Sequence, residues 1–446
     1  MTTMTPFRLL ASIAAISAAI ASPARGQSLV ELFESARSFD ATYQGVKAQA
    51  DANGYKAEQA RAGLLPAASV SAGASQSYLG VIPTVGPSSE RGFGTQQVTL
   101  SGSYPLYRPA NQAAFDQGQK LLEQSQAQLL AADQDLMVRT AQAYFDVLGA
   151  KDNLDFVMAQ KAAVAEQLAA AKRNFEVGTS TITDTREAQA RYDLVIAQQI
   201  AAENDLRVKK IALDQLVGKD NTQPKAVALP VTLPELLPAD VNAWVLAAEQ
   251  THPSLRQLQT ALDVAVLETE KSRAAEKPTV DLVGNLAMIR NDQGTTTVGV
   301  GSAVSSATIG VQLNMPLFTG YATQNRIKET LVLEDKARYD LEGARRSVAQ
   351  LTRTAYFGVL SGQGQVKALD AAEASSQSAL DANKLGYQVG VRINIDVLNS
   401  QSQLFQTKRD LAKARYDVLV GGLKLRQANG TLKAEDLQSV NAVLVR

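Results

Sequence analysis

Cysteine is absent from the 446-residue chain, and histidine occurs once, as His252. The first absence excludes a disulfide framework, thiol catalysis, thiolate metal sites and acylation on an N-terminal cysteine. The second leaves almost no material for a zinc site or a histidine-dependent triad. No catalytic residue, metal or cofactor is therefore expected. An excess of one charge is also missing, because 44 basic residues balance 44 acidic ones. That balance gives no electrostatic case for nucleic acid. Beyond the N-terminal segment, no run approaches the ~20 apolar residues of a membrane-spanning helix. A membrane location would have to be built from β-strands.

The N-terminal segment itself reads as an export signal. Arg8 supplies positive charge, an apolar run extends from Leu9 to Ala21, and small residues lead to Ser22-Pro23-Ala24. The run is about 13 residues, too short to span a bilayer and suited to a secretory signal. Residues 1–24 are expected to be that signal, with cleavage after Ala21 or Gly26 nearly as good as after Ala24.

The rest of the chain is written twice. Ala36 aligns with Ala248, Asp40 with His252, Pro66 with Pro278, and Ala143-Tyr144-Phe145 with Ala355-Tyr356-Phe357. Val177-Gly178 recurs as Val389-Gly390, Asp184 as Asp396, and Gly218 as Gly430, always 212 residues apart. Only Tyr104-Pro105-Leu106-Tyr107 against Met315-Pro316-Leu317-Phe318 slips, by one residue. A period this long is a duplicated unit rather than a short-repeat solenoid. It divides the mature chain into repeats 25–230 and 231–446.

Each repeat has the same order of elements. A helical stretch, 28–62 or 238–275, is rich in good helix formers and ends before Pro66 or Pro278. Two strand-like segments follow, around polar loops 80–93 and 292–306. The strands alternate. Val98, Leu100 and Tyr104 oppose Thr99, Ser101 and Ser103, and Ile309, Val311 and Leu313 oppose Thr308, Gly310 and Gln312. Val280, Leu282, Leu286 and Met288 oppose Asp281 and Asn285, and Val70, Ala72 and Ala74 oppose Ser69, Ser71 and Ser75. Such alternation fits either a lipid-facing barrel wall or a soluble sheet with one wet face. Four strands cannot close a barrel, and open edges are not tolerated in lipid. A membrane reading therefore requires subunits that share one barrel.

After the strands comes a helical region nearly free of proline. Ala110–Glu176 would make a rod of roughly 100 Å. Leu122, Leu129, Leu136 and Ala143 recur every seven residues, and Val164, Leu168, Ala171 and Phe175 continue at coiled-coil spacing. Gly178 and Gly390 end the rods, and helices 181–217 and 393–428 return. Each repeat is thus expected to form a long helical hairpin, its tip at Val177-Gly178-Thr179-Ser180 or Val389-Gly390-Val391-Arg392.

The export signal, the duplication, the strand pairs and the Val-Gly tips together resemble the TolC-type outer-membrane efflux and secretion protein family. The most specific stretches are Val177 to Asp184 and Tyr387 to Asn399, and the likeness covers essentially the whole mature chain. It implies a mixed α and β fold: a trimeric 12-strand transmembrane β-barrel, four strands per protomer, continued by a coiled-coil α-helical barrel. It implies a homotrimer in the outer membrane of a Gram-negative bacterium, contacting outer-membrane lipid. That duct would conduct passively for an efflux pump or a type I secretion system. An inner-membrane pump would drive transport, and a periplasmic adaptor (membrane fusion protein) would meet the tips Val177, Gly178, Thr179, Val389, Gly390 and Val391.

The resemblance also implies a periplasmic gate. The matching residues are Thr183, Asp184, Tyr387 and Arg392, with Arg392 expected to bond Asp184 or Thr183 and Tyr387 to bond Asp184. Of the two aspartates that line the constriction in the family, Asp396 matches the first, and Asn399 stands in place of the second. One carboxylate ring rather than two implies cation preference with weaker block by multivalent cations. The rival of another class is a periplasmic coiled-coil adaptor, which would have a single hairpin. An enzyme is disfavoured, since Gly299-Val-Gly301 lacks the third glycine and the strand–turn–helix setting of a dinucleotide loop.

Overall fold

The computed structural model describes residues 26–445 apart from 229, 232, 297 and 298. The expected signal peptide, 1–24, lies outside the described residues. The elements run α1 (Leu29–Phe39), α2 (Ala41–Ala62), β1 (Ala67–Val81), β2 (Ser89–Tyr107), α3 (Pro109–Glu176) and α4 (Ile182–Val217). They continue with α5 (Val241–Thr251), α6 (Pro253–Ala274), β3 (Thr279–Asn291), β4 (Ser302–Asn314), α7 (Ala322–Gln388), α8 (Asn394–Ala428) and α9 (Ala434–Asn441). Among the described residues no helix is long and apolar enough to cross a membrane.

The expected single helices 28–62 and 238–275 are each broken once. Ser28 and Glu31 form a reciprocal capping box that starts α1. At Asp40 the carboxylate accepts the Tyr43 N–H at 2.7 Å and so begins a new helix instead of continuing the old one. In the other half Pro253 supplies no N–H and holds His252 in extended backbone, which ends α5. His252 thus stands at the junction of α5 and α6. It is half-buried, and its backbone lies so close to Gly430 that a Cβ there would come within 2.4 Å of the His252 Cα.

Two compact units divide the chain, each drawing on both halves. One takes the chain to Lys47, Leu129–Pro253 and Arg345 onward; the other takes Ala48–Gln128 and Ser254–Ala344.

The second unit contains the sheet, ordered β1-β2-β3-β4 and antiparallel throughout. The β2–β3 pairing joins the two halves. Its register stacks Val70, Leu100, Leu286 and Ala307 in one row, and Tyr104, Leu282 and Val311 in another. The alternate rows are polar, as in Ser69, Ser101, Asn285 and Thr308. Period-two alternation thus gives a sheet with one apolar face. Among the described residues nothing covers that face: Val70 is 70% exposed, Ile309 78% and Val311 65%. Strand pairing continues outward to Val81↔Ser89 and Asn291↔Ser302, so the loops are shorter than 80–93 and 292–306.

The first unit holds the larger cores. Leu29, Leu32 and Phe33 of α1 pack on Leu136, Tyr144 and Leu148 of α3 and on Leu419 and Leu423 of α8. A second core gathers Trp244, Tyr356, Val359, Leu411 and Val418. Equivalent tyrosines fasten the connecting segments in both. The Tyr144 hydroxyl donates to the Lys225 carbonyl at 2.8 Å, and Tyr356 donates to the Ala239 carbonyl. Segment 219–231 is tied to the C-terminal stretch through the bridge Val227↔Leu444. Of the expected seam residues, Leu136, Val164, Leu168 and Ala171 are buried, but Phe175 is 43% exposed. It lies in the last half-turn of α3, where the hairpin opens.

Candidate functional site: the two hairpin turns and their cross-links

Each long helix ends by the same device. Beyond α3, Gly178 takes φ +79°, and beyond α7, Gly390 takes φ +81°. Gly178 N–H bonds the Phe175 carbonyl at 3.0 Å and Thr179 N–H the Asn174 carbonyl at 2.8 Å. Gly390 and Val391 repeat the pattern on Tyr387 and Gly386, at 3.2 and 2.9 Å. This is the Schellman closure, which needs a left-handed residue at its corner and favours glycine there. Beside those corners Val177, Val389 and Val391 are 74%, 65% and 76% exposed. Three branched apolar side chains stand in water at the two turns, with Thr179 exposed among them.

The return helices start differently. Thr181 caps α4 in a capping box with Asp184. The Asp184 Oδ2 accepts the Ser180 hydroxyl at 2.7 Å, the Thr181 N–H at 3.0 Å and the Thr181 hydroxyl at 2.9 Å. Burial pushes this carboxyl up, but the bonds from Thr181 and Ser180 outweigh it and hold it below the usual carboxylate range. In α8 the cap is Ile393, which makes no side-chain bond. Asp396, the counterpart of Asp184, is left half-exposed with Arg392 Nη1 3.7 Å away.

The expected bonds of Arg392 to Asp184 or Thr183, and of Tyr387 to Asp184, are not those the protomer makes. Asp184 commits its Oδ2 to its own helix start. Arg392 approaches Asp396 one turn ahead. The Tyr387 hydroxyl accepts from Asn174 Nδ2 at 3.1 Å, which links α7 to α3. Thr183 is exposed, and among the described residues its side chain makes no hydrogen bond.

The residue that joins the two hairpins is one that the sequence reading did not select. Asn394 is 1% exposed at the first position of α8. Its Nδ2 donates to the Asp184 carbonyl at 3.3 Å, and its Oδ1 accepts from Gln167 of α3. In the duplication Asn394 stands where the first half has Ile182. Ile182 is itself 49% exposed, so the repeats differ here, and only Asn394 is buried and bonded to partners. Two turns of helix further, Arg191 Nη2 of α4 donates to Asn399 Oδ1 of α8 at 2.8 Å. Beneath these polar links Leu398 packs with Val157, Val164, Leu168, Ala188 and Val195. No group of histidine, aspartate and glutamate side chains that could hold a metal occurs among the described residues.

The family of outer membrane efflux proteins matches the chain twice, over residues 33–219 and 244–431. The chain is 32% identical to the outer membrane protein TolC of Vibrio cholerae, over 98% of each sequence. It is 31% identical to the alkaline protease secretion protein AprF of Pseudomonas aeruginosa, over 80% of this chain and 74% of that protein. Two solved structures share the fold. CusC gives a TM-score of 0.79 at 17% identity, covering 91% of this chain and 92% of that one. The outer membrane protein VceC from Vibrio cholerae gives 0.76 at 19% identity, covering 90% and 96%.

Proposed function

The chain belongs to the outer membrane efflux protein family, and from that premise we propose how its protomers build a duct. It is an outer-membrane exit duct serving efflux and type I secretion. That membership displaces the alternative of a periplasmic adaptor.

Three protomers contribute four strands each to one 12-strand barrel. The observation that carries this reading is the sheet: one uncovered apolar face, one polar face, and two unpaired edges at β1 and β4. In lipid an unpaired edge costs several kcal/mol per backbone group, about the cost of an unmade hydrogen bond in hydrocarbon. Pairing β4 of one protomer with β1 of the next removes every edge. The apolar rows then face lipid, and the serine, threonine and asparagine rows face the lumen.

The repeats 25–230 and 231–446 each supply one hairpin to the periplasmic part. The double family match supports that duplication. Ducts of this family work with an adaptor and an inner-membrane pump, and the chain contributes conduction rather than catalysis. The exposed valines at the two turns, with Gly178, Thr179 and Gly390, are the surface offered to the adaptor. Asp396 lines the constriction as one carboxylate per protomer, beside the neutral Asn399. Asn394, Asn174 and Tyr387 hold the hairpins together within the protomer. Asp184 completes the capping box of its turn, while Thr183 and the exposed Arg392, weakly held by Asp396, are available for contacts between protomers.

Reconstitution into planar bilayers tests the duct. The purified protein should insert as discrete, cation-preferring channels. Failure to conduct, in protein that inserts as an intact oligomer, would overturn the reading.

A further inference from the structure

Between α3, α4 and α8 lies a cavity of about 400 Å³ lined by Gln160, Arg191, Gln198, Asn399, Gln406 and Arg409 among others. Its lining contains two arginines and no carboxylate. Among the described residues neither arginine forms an ion pair. Arg191 spends one donor on Asn399. Arg409 reaches the amide oxygens of Gln406 at 2.6 Å and of Gln160 at 3.4 Å. The adjacent carboxylate, Asp410, is instead held by the Gln406 amide at 2.9 and 3.0 Å.

A half-buried guanidinium bonded only to neutral amides is an uncompensated charge. Burial lowers the Arg409 pKa, with Asp410 opposing the effect only in part. The amides add donors. Gln160 is 4% exposed, and its oxygen accepts from Arg409. The Gln198 side chain makes no hydrogen bond, although its Oε1 is shielded from water. Among the described lining residues the buried polar atom without a partner is thus an acceptor, Gln198 Oε1, and a half-turn of that amide presents its two N–H donors at the same place. Two guanidinium groups and spare amide N–H groups in a cavity of ligand size complement a small anion with several acceptor oxygens.

We propose that this cavity is an oxyanion-binding site, one per protomer, taking a sulfate- or phosphate-like dianion or a small carboxylate. Arg191 and Arg409 neutralise the charge, and Gln160 and Gln198 complete the donor set. The site shares Asn399 with the constriction proposed above, but its test reads binding rather than conduction and so can fail independently.

The test is isothermal titration calorimetry of the assembled, detergent-solubilised protein with sodium sulfate, and in parallel with sodium succinate, against a chloride background. Saturable binding at one site per chain is expected. Arg409→Gln and Arg191→Gln should each weaken it by about tenfold or more, as loss of a charge-assisted bond pair requires. Arg409→Lys should retain part of it, and Arg338→Gln, on α7 outside the cavity, should leave it unchanged. Sulfate without succinate assigns a free inorganic anion; both assign acidic groups in general. Because Arg191 lies at the cavity edge, its variant keeps the test open should Arg409→Gln fail to assemble. No saturable heat in the unmodified protein, or equal affinity in the two glutamine variants, would overturn the proposal.

Discussion

Replacing Asn394 by alanine should loosen both hairpin turns at once. The side chain is buried and serves two partners, the Asp184 carbonyl and the Gln167 amide. Truncation removes both hydrogen bonds and leaves the half-buried Gln167 amide without this acceptor, at ~1–3 kcal/mol, while the Asp184 carbonyl keeps its bond within α4. Water entering the space vacated at the start of α8 offsets part of this, so ~2 kcal/mol per protomer is a reasonable expectation. Hydrogen–deuterium exchange reads that number locally. Amides of the first turns of α4 and α8 should exchange about 30-fold faster, the population change that ~2 kcal/mol implies. Amides around Tyr144 and Leu419 should be unaffected. In planar bilayers the same variant should show longer or more frequent high-conductance dwells if the turns hold the constriction. Unchanged exchange in α4 and α8 would refute the cross-link outright.

Four further outcomes follow from the same geometry. Asn399→Asp adds a carboxylate beside Arg191 and should strengthen block of the channel by a trivalent cation, more so when combined with Arg191→Gln; unaltered block would remove Asn399 from the constriction. Gly178→Ala should cost ~1 kcal/mol in thermal unfolding, because the site has open space but a left-handed backbone, and Gly178→Asn should cost less. Tyr356→Phe should destabilise by ~1–2 kcal/mol through loss of its bond to the Ala239 carbonyl, with Tyr144→Phe behaving alike. For Asp40, the side-chain bonds from Arg139 outweigh burial and hold its pKa below the ordinary value. A depressed native pKa means stability that is present above the unfolded-state pKa of about 4 and lost as pH falls through the native one. Unfolding midpoints should therefore drop with acid below pH 4, and less steeply in Asp40→Asn.

Much of the architecture can be read from the residues because the relevant physics is local. Prolines 66 and 278 end helices wherever they occur, alternation in 98–104 and 308–313 faces side chains to opposite sides, and glycines 178 and 390 relieve left-handed turns. The heptad at Leu122 to Ala143 marks a helix seam, although the seam does not reach Phe175. The misses share a different cause. The break at Asp40 depends on whether a carboxylate bonds its own backbone, which competes closely with helix continuation. The partners that the resemblance implies for Asp184, Arg392 and Tyr387 are not made within the protomer, where Thr181 and Ser180 bond the carboxylate and Asn174 bonds Tyr387. Asn394 carries no local signal, because a lone asparagine at a helix start looks like a surface residue and its repeat counterpart, Ile182, is itself exposed. Arg191 and Arg409 carry no motif at all; only the fold brings them to one cavity.

The central claim is that a protomer with four strands completes its barrel with those of its neighbours. Native mass spectrometry of the protein extracted from the outer membrane in detergent measures this directly. The account predicts a single species of three chains. A protein recovered from the periplasm without detergent, as a stable single chain, would contradict it.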